Sequence, residues 1–202
     1  MKSNRKPVTR TLVIKNMVCE RCIRAVKEEL QNLGYDVRSI QLGEAVVGLS
    51  SSSPSADRIR TALAKQGFEL LDDRQSQNIE RIKLAVLKLV RQVDPDRPRK
   101  GKDSEFIARE TGLEYHKLTT LFSSTQGITV EKYLILQRIE YVKELLRYNE
   151  LTLSEIAYQL GYSSVSHLSN QFKKTTGLSA TEYRNLKIPS RKPLDQIHPA
   201  SR

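Results

Sequence analysis

Apolar residues fall along this chain in two rhythms. Between residues 10 and 73, short strand-like runs alternate with helical ones. Thr11-Leu12-Val13-Ile14-Lys15 reads as a strand, and residues 22–33 as an amphipathic helix with Cys22, Ile23, Val26, Leu30 and Leu33 on one face. Residues 37–42 and 45–49 predict two strands around Gly43-Glu44, residues 56–66 a second helix and residues 68–71 a last strand. The order βαββαβ predicts an α+β domain of ferredoxin-like arrangement.

From residue 78 onward the pattern is helical. Ile79, Ile82, Val86, Leu89, Val90 and Val93 recur at three- and four-residue spacing and predict a helix over 78–93. Residues 94–103, with Pro95, Pro98 and Gly101, read as a breaker-rich loop. An internal repeat follows. Ile107-Ala108, Gly112, Leu118, Phe122, Gly127 and Tyr133 return as Ile156-Ala157, Gly161, Leu168, Phe172, Gly177 and Tyr183. The offset is 49 residues up to the first glycine and 50 after it, so the second copy has a turn one residue longer. Two copies are too few for a solenoid.

Each copy predicts a short helix (104–110; 154–160), a turn at a glycine, and a second helix that ends at Gly127 or Gly177. Leu118 and Phe122, or Leu168 and Phe172, face inward at i, i+4. This is the helix-turn-helix pattern, whose second helix enters a DNA major groove. The outward positions are His116, Lys117, Thr119 and Thr120 in the first copy, and Ser166, His167, Ser169, Asn170 and Lys173 in the second. Short hydrogen-bonding side chains suit base edges, and Lys suits phosphates. A helical bundle that merely shows polar residues to water is the competing reading. Residues 129–148 predict a joining helix with Tyr133, Leu136, Ile139, Val142, Leu145 and Leu146 along its seam. Its length of about 30 Å approaches the ~34–36 Å repeat of the duplex.

Composition narrows the class. A chain of 202 residues fits two domains, and 38% hydrophobic residues supply cores for both. Two cysteines cannot build a disulfide-dense scaffold. The start MKSNRKPVTR lacks the apolar stretch of a signal peptide, and no apolar run approaches the ~20 residues of a membrane span. A soluble, cytoplasmic protein without membrane contact is expected. The formal charge of +11 points to a polyanionic partner, though a solubilising surface explains it equally well. Residues 10–75 carry 10 basic and 9 acidic side chains, residues 76–202 carry 21 and 14, so the surplus favours the second half. The expected organisation is a domain at 10–73, a connecting segment at 74–103 that includes helix 78–93, a helical domain at 78–186 and a basic tail at 187–202.

Residues 78–186 resemble the C-terminal DNA-binding domain of the AraC/XylS family of bacterial transcription regulators. Leu153-Ser154-Glu155-Ile156-Ala157-Tyr158-Gln159-Leu160-Gly161-Tyr162 resembles the entry to that family's second helix-turn-helix. Phe172-Lys173-Lys174-Thr175-Thr176-Gly177-Leu178-Ser179 with Glu182-Tyr183-Arg184 resembles its signature. The resemblance implies an all-α domain with two helix-turn-helix motifs joined by a long helix. It also implies gene regulation without enzymatic activity, and double-stranded DNA and RNA polymerase as partners. His116, Thr119 and Thr120, with Val165, Ser166 and Asn170, are the groove-facing residues it implies. Ala180 stands where the family often has Pro, and Thr120 and Asn170 stand where Arg is frequent. Two reading helices per chain leave monomer and homodimer equally open.

The first domain carries Asn16-Met17-Val18-Cys19-Glu20-Arg21-Cys22 at the junction of its first strand and helix. Thiols at a helix N-terminus beside Arg21 and Arg24 have their thiolates favoured. Two thiolates separated by two residues converge on one soft ion, such as Cu(I). Tetrahedral zinc wants four ligands, and this domain has no third Cys and no His. The stretch resembles the heavy-metal-associated domain of copper chaperones and metal-pumping ATPases, with Asn16 and Val18 in place of the common Gly and Thr. Phe68 falls where Tyr or Lys often supports the metal, and Met17 reads as core. Cys19 and Cys22 are therefore candidate ligands of Cu(I) or another thiophilic ion that controls DNA binding. A redox pair, a partner-binding module without ligand and a metallochaperone are the alternatives.

Overall fold

Three consecutive apolar residues, Leu12, Val13 and Ile14, are all buried in strand β1 (Thr9–Lys15), which places that strand inside a sheet. Its neighbours are β3 (Glu44–Gly48) and β4 (Glu69–Leu71), with β2 (Asp36–Gln41) outside β3. The order is β2-β3-β1-β4 and every pairing is antiparallel. Side chains alternate across a strand, so Leu12, Ile14, Ala45, Val47 and Leu70 share one face. Helices α1 (Glu20–Asn32) and α2 (Ala56–Lys65) bury Val26, Leu30, Ile59 and Leu63 in the same core, together with Met17 and Phe68. Val13 and Leu71, paired across β1 and β4, are buried on the opposite face.

This computed structural model describes residues 8–49, 55–91 and 101–186. The tail at 187–202, the end of the 78–93 helix and most of the 94–103 loop lie outside the described residues. The chain forms two compact units that divide between Leu84 and Ala85, inside helix α3 (Arg74–Arg91). That helix begins four residues earlier than the apolar pattern predicts. The polar run at 72–76 reads as a joint, yet Asp73 accepts a hydrogen bond from the Ser76 N–H at 2.7 Å and so caps the helix. No described helix is long and apolar enough to cross a membrane.

The second unit holds two structural copies. The first is α4 (Asp103–Thr111) and α5 (Tyr115–Gln126); the second is α7 (Leu153–Gln159) and α8 (Val165–Thr176). Helix α6 (Val130–Tyr148) joins them, and α9 (Ala180–Arg184) follows the second. The repeat extends to packing. Leu118 and Phe122, like Leu168 and Phe172, are fully buried. Phe122 meets Tyr133 at 5.3 Å between ring centroids, and Phe172 meets Tyr183 at 5.6 Å. Thr129 and Ser179 cap the helices that carry those tyrosines. The α6 seam differs from its prediction: Leu136 and Leu145 are only half-buried, while Leu134 and Gln137 are buried. A helix packed on two copies buries a broader arc than a single stripe.

Gly112 ends α4 at φ 68°, a conformation that strains any residue with a Cβ, and no atom stands within 4 Å of where that Cβ would be. Gly112→Ala is therefore expected to lose about 1–2 kcal/mol through the backbone alone. Gly112→Asn should lose less, since Asn tolerates this region. The shift in urea midpoint measures both, and equal losses would refute the backbone origin.

Candidate nucleic-acid interface and thiol pair

Burial of Leu118 and Phe122 fixes which face of α5 meets solvent. His116, Lys117 and Thr120 are exposed, and Thr119 is half-buried. In α8 the exposed set is Val165, Ser166, His167, Asn170 and Lys173, with Ser169 half-buried. Thr119 and Ser169 directly follow the buried leucines and so flank the buried stripe. Thr119 also turns its hydroxyl back on the His116 carbonyl at 2.9 Å, as mid-helix Thr commonly does. It is thus a poorer base reader than its position in the sequence implies.

The two helices are chemically unlike. Along α5, hydroxyls at Thr119, Ser123, Ser124 and Thr125 all return to helix carbonyls, and the one cation, Lys117, pairs with Glu114 at 3.0 Å. Helix α8 carries Lys173 and Lys174 in its last turn. Its first turn is set by the preceding loop. Ser164 accepts from the His167 N–H at 3.0 Å, Ser163 Oγ meets His167 Nδ1 at 3.1 Å, and the His167 ring stands edge-on to Tyr162. Ordering of this kind prepares a recognition residue before it meets a partner.

Residues 101–186 carry ten basic and ten acidic side chains, so the cationic surplus of the second half lies outside the double motif. Most of the acids are engaged internally. Asp103 holds Arg138 at 2.9 Å, Glu140 holds Lys143 at 2.7 Å, and Glu131 accepts from the Tyr115 hydroxyl at 2.5 Å. Glu155 and Glu182 close capping boxes with Thr152 and Ser179, whose hydrogen bonds hold both carboxyls below the usual range.

In the first unit, Cys19 is the N-cap of α1 and Cys22 lies in its first turn, since the helix begins at Glu20, two residues earlier than the sequence pattern predicts. The sulfurs are 3.4 Å apart, with Cys19 exposed and both thiols free. Burial pushes the Cys19 thiol up. The Cys22 N–H and thiol, the Arg21 N–H and the Arg21 guanidinium outweigh it and hold the thiol below its ordinary value. Two converging sulfurs suit a thiophilic ion of low coordination number. Among the described residues no group of three or more His, Cys, Asp or Glu side chains could hold a metal, so none of them adds to the two sulfurs the further ligands that tetrahedral zinc wants. Met17 is fully buried and Phe68 nearly so, which removes both from ligand duty. Sequence reasoning marked Asn16 only as a departure from the heavy-metal-associated pattern and missed Glu80. Asn16 takes φ 73°, and Asn is among the few residues that tolerate it. Glu80 is a buried carboxylate on α3, and no sequence pattern marked it as anything but solvated.

Comparison with known proteins concerns the second unit most directly. Residues 107–186, which span both copies, match the family described as a helix-turn-helix domain. The probable transcriptional regulator LumQ of Photobacterium leiognathi is 26% identical over 132 residues, 65% of this chain and 51% of LumQ. The xylose operon regulatory protein of Escherichia coli is 24% identical over 187 residues, 84% of this chain and 47% of that protein. The chain thus spans about half the length of these two relatives. Among solved structures, the C-terminal domain of AraT, a response regulator from Geobacillus stearothermophilus, has 26% identity and a TM-score of 0.46, covering 58% of this chain and 92% of that one. Residues 107–186 therefore carry the matched helix-turn-helix domain, and the two relatives to which the chain is similar are named as regulators.

Proposed function

We propose that this chain is a sequence-specific regulator of transcription that binds double-stranded DNA, catalyses no reaction and is controlled at Cys19 and Cys22. The observation that carries the DNA reading is the duplicated burial of Leu118/Phe122 and Leu168/Phe172, which turns a polar stripe outward on both α5 and α8. Helix α6, with 19 residues, is about 28 Å long, near the ~34 Å spacing of successive major grooves. One chain then reads two grooves. Base contacts come from His116 and Thr120 in α5 and from Val165, Ser166, His167 and Asn170 in α8. Thr119 and Ser169 support them, and Lys173 meets phosphate, whereas Lys117 is engaged by Glu114.

Control by metal follows from the donor set. Cys19 and Cys22 would hold Cu(I) through their two sulfurs, a soft donor pair that suits a thiophilic ion. The βαββαβ unit with order β2-β3-β1-β4 supports the heavy-metal-associated reading. A ligand changes DNA affinity only if it favours one of two arrangements, so metal affinity alone is insufficient. The close thiol pair, with the Cys19 thiol held below its ordinary value, also supports a second reading. In it, hydrogen peroxide takes two electrons and two protons from the thiols, forming a disulfide and water.

Three outcomes follow. On an operator selected from random DNA, Asn170→Ala should lose about 1–3 kcal/mol on the preferred sequence and relax choice at one position. Lys173→Ala with Lys174→Ala should weaken every sequence alike and lower the salt slope by about 2, while Lys117→Ala barely alters it. Equal losses on all sequences for Asn170→Ala would end its role as a reader.

The second outcome concerns effector identity. Cu(I) under reducing conditions should change operator affinity for the wild type and not for Cys19→Ser/Cys22→Ser. A response to peroxide alone selects the redox reading, and no response to either removes control at the pair. The third concerns the thiol itself. With its pKa lowered, Cys19 is thiolate at a lower pH than a free thiol, so its alkylation rate should reach half-maximum at lower pH. Arg21→Gln should move that midpoint upward; an unmoved pH–rate profile would show that the guanidinium does not act on it.

A further inference from the structure

Within the second unit, the two copies bury their own apolar pairs and leave between them a cavity of about 480 Å³. That volume falls within the ~300–1,000 Å³ of small-molecule sites. Helix α6 supplies most of its apolar lining, with Val130 and Leu134 buried and Ile135 half-buried, and Ile107 of α4 adds to it. The polar lining comes from both copies. Tyr115 stands at the start of α5, while Tyr162, His167 and Gln171 belong to the second copy, the last two on α8.

These polar groups are already ordered. Arg138 of α6 donates to Asp103 at 2.9 Å, the Tyr162 hydroxyl donates to Gln171 Oε1 at 2.6 Å, and the His167 ring stands edge-on to Tyr162. Glu131, in the first turn of α6, accepts from the Tyr115 hydroxyl at 2.5 Å. A lining fixed in advance loses little freedom when a ligand enters.

The charge on this lining has a sign. Two carboxylates, Asp103 and Glu131, stand against one guanidinium, Arg138, and Asp103 already holds that guanidinium. The partner of Glu131 is a neutral phenol, which stabilises its charge without cancelling it. That hydrogen bond keeps the Glu131 carboxyl below the usual range. Burial, the bond to Glu131 and the charges of Glu131 and Asp103 push the Tyr115 hydroxyl far above its ordinary value, as a negative site requires. An anion entering here would face Glu131 and have to displace Asp103 from Arg138. A cation meets a carboxylate whose hydrogen-bond partner is uncharged. Glu131 is exposed and Leu134 buried, so the charge lies at the mouth and the apolar surface inside.

From this lining we infer that the cavity between the two copies is an effector site for a small aromatic ammonium compound. The ammonium meets Glu131, the ring lies against Ile107, Leu134 and Ile135, and the occupant bears on α8 through His167 and Gln171. The effector role rests on the DNA reading; the binding itself does not.

The chain contains no Trp, so the emission of an added indole reports its binding directly. Fluorescence anisotropy on the full chain at pH 8, where imidazole is neutral, compares three indoles. These are tryptamine, an ammonium; tryptophol, its neutral alcohol; and indole-3-acetate, an anion. Tryptamine should bind about fivefold more tightly than tryptophol, as an ion pair open to solvent allows, and indole-3-acetate more weakly than both. Glu131→Gln keeps an acceptor for Tyr115 without the charge; it should abolish the preference for tryptamine and leave tryptophol binding unchanged. Ser104→Phe, on the α4 part of the lining, narrows the cavity and should weaken both. Equal affinity for the three indoles in the wild type, or tryptamine binding that neither substitution alters, overturns the site. Saturating tryptamine should also shift operator affinity of the wild type by about fivefold or more. Binding without that shift keeps the ligand site and removes the effector role. A chain that takes up tryptamine yet selects no operator removes the DNA reading and leaves the site standing.

Discussion

Everything in the second unit depends on one packing arrangement made twice: a leucine and a phenylalanine four residues apart, sunk beneath a tyrosine from the following helix. Burying such side chains yields on the order of 1.5–3 kcal/mol each. A tilted ring contact at 5.3 Å and an edge-on one at 5.6 Å add direction to that gain. Because the apolar pair occupies one side of α5 or α8, the opposite side is committed to solvent. The polar stripe is a consequence of the core, which is why a feature of recognition can be read from a feature of stability.

Much of this was legible because it is periodic. The strands of the first unit announce themselves by apolar runs, and the repeat by matched residues at nearly constant offset. What escaped was aperiodic or pairwise. Asp73 looks like linker chemistry until its bond to the Ser76 N–H is seen, and that bond starts α3 four residues early. Glu80 carries a residue type that sequence reasoning assigns to water. The half-burial of Thr119 follows from the width of the buried arc and its own bond to the His116 carbonyl, neither of which a residue type encodes. Gln137 entered the core of α6 because a helix flanked by two packed copies has little solvent side left.

Net charge proved a coarser guide than its placement. The formal +11 of the chain argues for a polyanionic partner, but the double motif itself is balanced, and its acids are largely consumed in caps and internal pairs. The local cations that remain presented beside a reading surface are concentrated on α8. Under the proposed DNA reading, hydrogen-bonding side chains carry more of the interface than a uniform positive field would.

The spacing from turn glycine to buried leucine is one residue longer before α8 than before α5, and the exposed positions differ, His116 against Ser166, Lys117 against His167 and Thr120 against Asn170. Such a pair cannot be superposed by sliding one copy onto the other. A single chain laid on a duplex accordingly has a head and a tail. Under the proposed DNA reading its target carries polarity, and reversing that target exchanges the stretches that face α5 and α8.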